Sequence, residues 1–384
     1  TANPDGPLGL EVLRKSLSVL LWNGSLIYSA LILLSARTIC LPFLTNPTRL
    51  NLASTLFRRS IRLWIPSCVA LALITIILNS TSTDFITTFK TLTNNDTFAT
   101  PYLLDSFVKY YNGLFDLFWT TRSYASQAGA YAFPTSTLYI ISIIFQQSYT
   151  VYMTMLILPY TRPAWRLQAF ILFVITAWWV QSWAWYSITG LLLTDAIHNM
   201  NFHERSRAGI PIWRTRFRFP TWIIYLALMA AGLIMQYIFT AWKTQDKDAE
   251  LVAHATLYES GDLNRNYDPS QPQARDDNYL LLLGWFLMLE HSDVLKWLMG
   301  NPVFKVLGRR SLSIFLTQSI ILSTAGIALF LRLSVTAGLN DSAASVVVLV
   351  VMLPFVAVAS EAFYRGVELP AQWAAKWLFK FMTS

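Results

Sequence analysis

Arginine is the side chain best shaped to grip phosphate, because its planar guanidinium offers five N–H donors in a rigid fork that meets two oxygens at once. The sequence clusters it twice. Arg58, Arg59 and Arg62 stand in LFRRSIRLWIPS, at the mouth of an apolar run that continues as ALALITIILN, and Arg309 and Arg310 open VLGRRSLSIFLTQSIIL with Ser311 beside them. Two such clusters on one face would suit the phosphates of a nucleotide-linked donor such as acyl-CoA. Basic residues at the ends of apolar helices also anchor against anionic lipid, at about 1 kcal/mol each. Residue types alone leave both readings open.

Other chemistries find little to work with. The four histidines, His198, His203, His254 and His291, make no H-x-x-x-H pair and no cluster with cysteine, so no metal site is expected. No glycine-rich phosphate loop and no G-x-S-x-G elbow occurs. Glu290 and His291 are the weak candidates for a proton acceptor, and with Asp195 and Glu361 they fall near helix ends, where interfacial positions are expected. Gln146, Gln147 and Gln318 lie inside apolar runs, which points them either to a polar cavity or to interhelical hydrogen bonds.

The elements that carry these residues are membrane helices. The chain is 54% hydrophobic and 13% charged, against about 25% charged in soluble domains. Backbone amides in hydrocarbon must pair within their own segment, so apolar runs of this length are helices. Nine spans are expected near 17–36, 63–79, 135–158, 167–180, 182–197, 220–241, 278–292, 311–332 and 344–362, an all-α polytopic bundle in a single domain. The fourth and fifth share AWWVQSWAWY and alternatively form one kinked helix.

Nine spans put 19 of the 29 basic residues on one side, in loops 37–62, 159–166, 198–219 and 293–310 and in an amphipathic tail 363–384; that side is expected to be cytosolic. The other side receives an N-terminal segment 1–16, an aromatic loop 80–134 that reads as an interfacial or acceptor-covering lid, and a polar loop 242–277. On or near it fall three N-glycosylation triplets, at Asn79, Asn95 and Asn340, which fit a eukaryotic endomembrane or plasma membrane. Cys40, in a cytosolic loop, and Cys68, in a span, are not expected to pair. The net charge of +8 sits against membrane helices and does not imply nucleic acid.

Several stretches, in order, resemble the acyltransferase-three family of integral-membrane O-acyltransferases in its fungal form. LFRRSIRLWIP resembles its RR-x-x-R-x-x-x-P segment, PTSTLYIISIIFQQSYTVYMTML its "LWTIPVEFRGS" helix, WYSITGLLLTDAI its "WY...FLAGMLLAD" helix, NPVFKVLGRRSLSIFLTQ its "PLRFLGRISFSLYLVH" segment and VELPAQWAAKWLFKF its terminal "VDRPSVRFARWL". The resemblance covers roughly residues 17 to 380. It implies a bundle of about ten helices that moves an acyl group, usually acetyl, from cytosolic acyl-CoA to a hydroxyl of a sugar or small metabolite on the far side, with no permanently bound cofactor. Arg59 and Arg62 would meet the donor, with Arg58, Arg310 and Ser311 beside them. The family's catalytic histidine would lie on a helix ahead of Thr1. Ile144 and Gln146 stand where the family has glutamate and arginine, and Gln318 where it has histidine. These departures raise the alternative of a non-catalytic relative that binds or carries a lipid or metabolite.

Overall fold

The computed structural model describes residues 23–93, 100–121, 123–211, 218–243 and 271–383, together with residues 12, 15–17 and 19. Asn95 and most of the segments 1–16 and 242–277 lie outside them. In chain order the elements are α1 (Gly24–Thr45), α2 (Arg49–Thr81), α3 (Asp84–Leu92), α4 (Phe107–Trp119), α5 (Ala128–Ala132), α6 (Tyr139–Ile157), α7 (Pro163–Trp179), α8 (Ala184–Asn199) and α9 (Phe202–Ala208). A two-residue antiparallel pair, β1 (Ile210–Pro211) with β2 (Arg218–Phe219), precedes α10 (Thr221–Tyr237), α11 (Asp276–His291), α12 (Asp293–Met299), α13 (Pro302–Arg309), α14 (Ser311–Ile321), α15 (Ile327–Leu331), α16 (Asp341–Phe363) and α17 (Leu369–Thr383). The protein is all-α. Among the described residues six helices are long and apolar enough to cross a membrane: Gly24–Thr45, Arg49–Thr81, Tyr139–Tyr160, Thr221–Thr240, Ser311–Thr336 and Asp341–Thr383. The other three expected spans correspond to α7, α8 and α11, of 17, 16 and 16 residues.

The contacts divide the chain into two units, Ala53–Phe145 with Pro302–Ser384, and Ala2–Leu52 with Gln146–Asn301. In the first, α2 supplies Leu71, Ile74 and Leu78 to a core completed by Leu316, Ile320 and Phe363. Residues 80–134, expected as a loop covering the surface, instead contribute to that core: Ile86, Leu104, Leu114, Leu117, Phe118 and Phe133 are buried in it. The reason is amphipathic spacing in α4, where 114, 117 and 118 share one face while Phe107, Tyr111, Phe115 and Trp119 form a second, exposed aromatic stripe. Ser106 caps this helix by accepting from the Lys109 amide.

Helices outrun the expected spans in three places. α2 starts at Arg49, so Arg58, Arg59 and Arg62 lie on the helix itself rather than in a loop, because nothing in RLNLASTLFRRSIRLW breaks a helix. α1 continues past Arg37, whose charge is met by Glu290, and carries Cys40 as a buried free thiol, so the expected cytosolic loop at 37–62 shrinks to a short link between α1 and α2. The expected C-terminal tail is the continuation of α16: Asp341–Thr383 is one helix of 43 residues. Pro370 lacks the N–H that an α-helix would aim at Gly366, and the wide π-turn Tyr364–Glu368 immediately before α17 absorbs that loss without ending the helix.

In the second unit α1, α6, α7 and α8 share a core containing Ile39, Phe43, Tyr152, Met155, Phe170 and Leu191. α7 and α8 are two helices, not one kinked helix. Gln181 takes φ 54° in the tight turn between them, and Arg166 in the first turn of α7 reaches Asp195 near the end of α8, which requires an antiparallel hairpin. α10 and α11 approach through glycine: a Cβ on Gly232 would lie 2.6 Å from the Leu281 amide, and one on Gly284 would lie 2.7 Å from the Tyr225 carbonyl. Small residues let membrane helices come this close.

Candidate functional site

The π-turn in the 43-residue helix puts a carboxylate into the core of the first unit. Glu368 is 1% exposed; its Oε2 accepts from Ser313 Oγ at 2.6 Å and its Oε1 from Gln372 Nε2 at 3.1 Å. Arg62 Nη2 stands 3.8 Å from Oε1, an ion-pair distance longer than a hydrogen bond, and the Arg62 side chain is 50% exposed. One hydroxyl and one amide therefore hold Glu368, while half of the Arg62 side chain stays exposed. Phe57 and Phe379, with ring centroids 5.8 Å apart, pack α17 against the same half of α2.

The other expected donor-site residues are distributed around this centre. Arg310, the N-cap of α14, places Nε 2.5 Å from Glu361 Oε2, whose other oxygen accepts from Arg365 Nε at 2.6 Å. Ser311 is exposed as the first residue of α14. Arg58 Nε donates back to the Ser54 carbonyl at 3.2 Å, and Arg59 is half-buried one residue on. Glu368 and Ser313 were not singled out by sequence reasoning. The neighbours of Glu368 hide it: Glu361, Arg365, Lys376 and Lys380 lie in the same stretch, so Glu368 reads in sequence as one charge of an amphipathic tail rather than as a lone ionisable residue among apolar ones.

The weak base candidates belong to the second unit, and each is engaged. Arg37 Nη2 donates to Glu290 Oε1 at 2.6 Å, Lys296 Nζ lies 3.5 Å from Oε2, and His203 Nδ1 lies 3.0 Å from the Glu290 carbonyl oxygen. His291 Nδ1 meets Ser206 Oγ at 2.8 Å, and Ser206 also meets Tyr225 Oη at 3.0 Å, tying α9, α10 and α11 together. Asp195, expected at an interface, is fully buried. Arg166 donates to both its oxygens at 3.0 and 3.2 Å and also to the carbonyls of Leu158 and Thr161, closing the turn that leads into α7.

Of the glutamines in apolar runs, Gln147 Oε1 accepts from Ser187 Oγ at 3.1 Å, joining α6 to α8; Gln146 and Gln318 are half-buried. Asn79 is exposed in the last turn of α2 and donates to the Leu104 carbonyl, and Asn340 is exposed ahead of α16. Outside the long helices, burial and then the neighbouring Cys68 thiol push the Tyr110 phenol well above its ordinary range. Tyr110 Oη donates to the Cys68 carbonyl at 2.8 Å. No family model, no curated protein and no solved structure matches the chain.

Proposed function

We propose that the chain is an integral-membrane O-acyltransferase of the acyltransferase-three type, which takes an acyl group, usually acetyl, from cytosolic acyl-CoA and delivers it to a hydroxyl of a sugar or small metabolite. The observation that carries this reading is the half-exposed side chain of Arg62. It stands beside a buried carboxylate that is already hydrogen-bonded by Ser313 and Gln372, so its fork keeps donors for an anionic ligand. In this reading Arg59 and Arg62 meet the donor phosphates, and Arg310 with Ser311 flanks them. α7, α8 and α11 join the six longer helices as spans, at about 24 to 26 Å each, just short of a hydrocarbon layer about 30 Å thick. The basic side is then cytosolic.

The test is the affinity of purified protein in detergent for acetyl-CoA. Arg59→Lys with Arg62→Lys keeps the charge and removes the fork. Losing charge-assisted bonds worth about 1.5–3 kcal/mol each should weaken binding roughly ten- to a hundredfold or more, with thermal stability in the absence of ligand unchanged. Equal affinity in the double variant, or no binding by the parent, overturns the donor site and leaves lipid anchoring. A second reading, a non-catalytic relative that binds or carries a lipid or metabolite, is favoured by one observation: Glu290 and His291 are both engaged by neighbouring side chains. Acetyl-CoA binding without release of the CoA thiol, across a panel of hydroxyl acceptors, would select it.

A further inference from the structure

Within the first unit, α4 comes back along α2. The Leu104 carbonyl accepts from Asn79 Nδ2 at 3.3 Å, Tyr110 Oη donates to the Cys68 carbonyl at 2.8 Å, and the ring of Phe115 meets that of Trp64 edge-on at 6.5 Å between centroids. Residue numbers rise on one helix as they fall on the other, so the two run antiparallel. At 1.5 Å per residue, Trp64 and Asn79 stand about 22 Å apart along α2, and from Leu63 to Asn79 that helix carries no charge. α2 is long and apolar enough to cross a membrane. A helix laid along this stretch sits at the depth of the hydrocarbon layer, not over its surface.

The chain then turns back between Thr120 and Gln127 into α5. The hairpin closes where it opened, with the Tyr102 amide donating to the Tyr131 carbonyl at 3.0 Å. Backbone that leaves a helix inside hydrocarbon must find its partners within the protein, and two side chains supply them here. Gln127, 2% exposed, donates from Nε2 to the Thr120 carbonyl at 3.0 Å, and Asp116 Oδ2 accepts from the Ala128 amide at 3.0 Å. The two arms meet through glycine, as close-packed membrane helices do: a Cβ on Gly129 would lie 2.5 Å from the Gly113 carbonyl oxygen.

Three faces of α4 meet three surroundings. Leu114, Leu117 and Phe118 enter the core of the unit. Phe107, Tyr111, Phe115 and Trp119, every fourth residue, form an exposed aromatic ladder about 18 Å long. Its first three rings follow one another at 5.5 and 5.0 Å between centroids. Lys109 and Asn112 are exposed on the remaining side, and Lys109 Nζ reaches back to Asp105 at 2.7 Å, toward the mouth of the hairpin. On α2, Leu73 and Ile76 are exposed between the levels of Cys68 and Asn79, so apolar side chains of both helices lie open at one depth. We propose that Tyr102–Tyr131 is a re-entrant hairpin, with the aromatic ladder of α4 seated against lipid acyl chains and with Lys109 and Asn112 turned to water. The proposal rests on α2 crossing the membrane and not on the acyltransferase reading.

The experiment uses the full chain in phosphatidylcholine vesicles, with Cys40 and Cys68 replaced by serine and one nitroxide-labelled cysteine at a time. Labels at Phe107, Tyr111, Phe115 and Asn112 are compared with Ile76 as the lipid reference and Lys380 as the water reference. Each is read by collision with oxygen, which concentrates in hydrocarbon, and with a water-soluble nickel chelate. The oxygen-to-nickel ratio at Tyr111 and Phe115 should match that at Ile76 and exceed that at Lys380 several-fold; Phe107, nearer the mouth, should fall between, and Asn112 should read with Lys380. Val108, exposed beside the ladder, is the second site where a label lowers the melting temperature. Ratios at Tyr111 and Phe115 equal to that at Lys380 put α4 outside the bilayer, equal ratios at Phe107, Tyr111 and Phe115 lay it flat, and a lipid-like ratio at Asn112 removes the water-facing side; each overturns the proposal. Nickel access at Ile76 removes α2 as a span and the proposal with it. No acyl-CoA enters the measurement, so the hairpin and the donor site fail or stand separately.

Discussion

Glu368 and Ser313 are separated by 55 positions in sequence and by 2.6 Å in space, and their pairing decides how Arg62 is presented. Ser313→Ala removes a donor from a buried carboxylate, which should cost about 1–3 kcal/mol and draw Arg62 inward to compensate. Both effects are measurable, the first as a lower melting temperature in detergent and the second as weaker acetyl-CoA binding. Tyr110 offers a test with a pH signature. Its phenol has a raised pKa in the folded protein, so that contribution to stability is whole below the unfolded phenol's value of about 10 and is lost as pH rises through the folded one. Tyr110→Phe should cost about 1 kcal/mol at pH 8 through the lost bond to the Cys68 carbonyl, and the gap between parent and variant should narrow above pH ~10. A gap independent of pH would show that the hydroxyl is not held as described. At this scale the arginine clusters were legible in sequence, since three arginines against an apolar run are visible in one line. Their partners were not: what meets Arg62 arrives from a helix some three hundred residues later, and only the π-turn ahead of Pro370 aims it inward.

Among the elements, the tightest constraint is the α10–α11 contact. Gly284→Val would drive its side chain into the Tyr225 carbonyl and the Met229 backbone, at distances from Cβ of 2.7 and 2.8 Å, so the helices must separate. Overpacking of this kind typically costs 1–3 kcal/mol or more, and thermal unfolding in detergent should show it, with Gly308→Val as the silent control because nothing lies within 4 Å of that position. Equal stability of the two variants would contradict the close approach. The long apolar helices were readable because hydrocarbon demands an unbroken apolar run. Their ends were not, because hydropathy reports where a helix enters lipid and not where its hydrogen bonding stops. α1 runs on through Arg37 since Glu290 answers the charge from 253 positions away, a pairing no local window contains. Residues 80–134 failed as a loop for a related reason: their many aromatics suggested a surface cover, while the spacing within Phe107–Trp119 already carried a buried face beside the exposed one.

At the scale of the whole molecule, the membrane topology turns on the α7–α8 hairpin. Single cysteines at Tyr160, Val180 and Asn199, in a background with Cys40 and Cys68 replaced by serine, can be labelled with an impermeant maleimide on sealed vesicles. If the hairpin spans, Val180 reacts from the side opposite to Tyr160 and Asn199; reaction of all three from one side would reduce the count of spans by two. Length has a further consequence at the other end of the chain. The helix Asp341–Thr383 measures about 64 Å, and even at a 40° tilt it crosses a 30 Å hydrocarbon layer in about 39 Å. If this helix spans, about 25 Å of it stands clear, with the ring of Phe379 packed beside that of Phe57. Small membrane proteins are difficult to orient in electron micrographs because the detergent belt hides their asymmetry. A helix projecting from that belt would give each particle image a pointer, and the exposed faces of Trp373 and Trp377 would give a rigid binding protein something to hold.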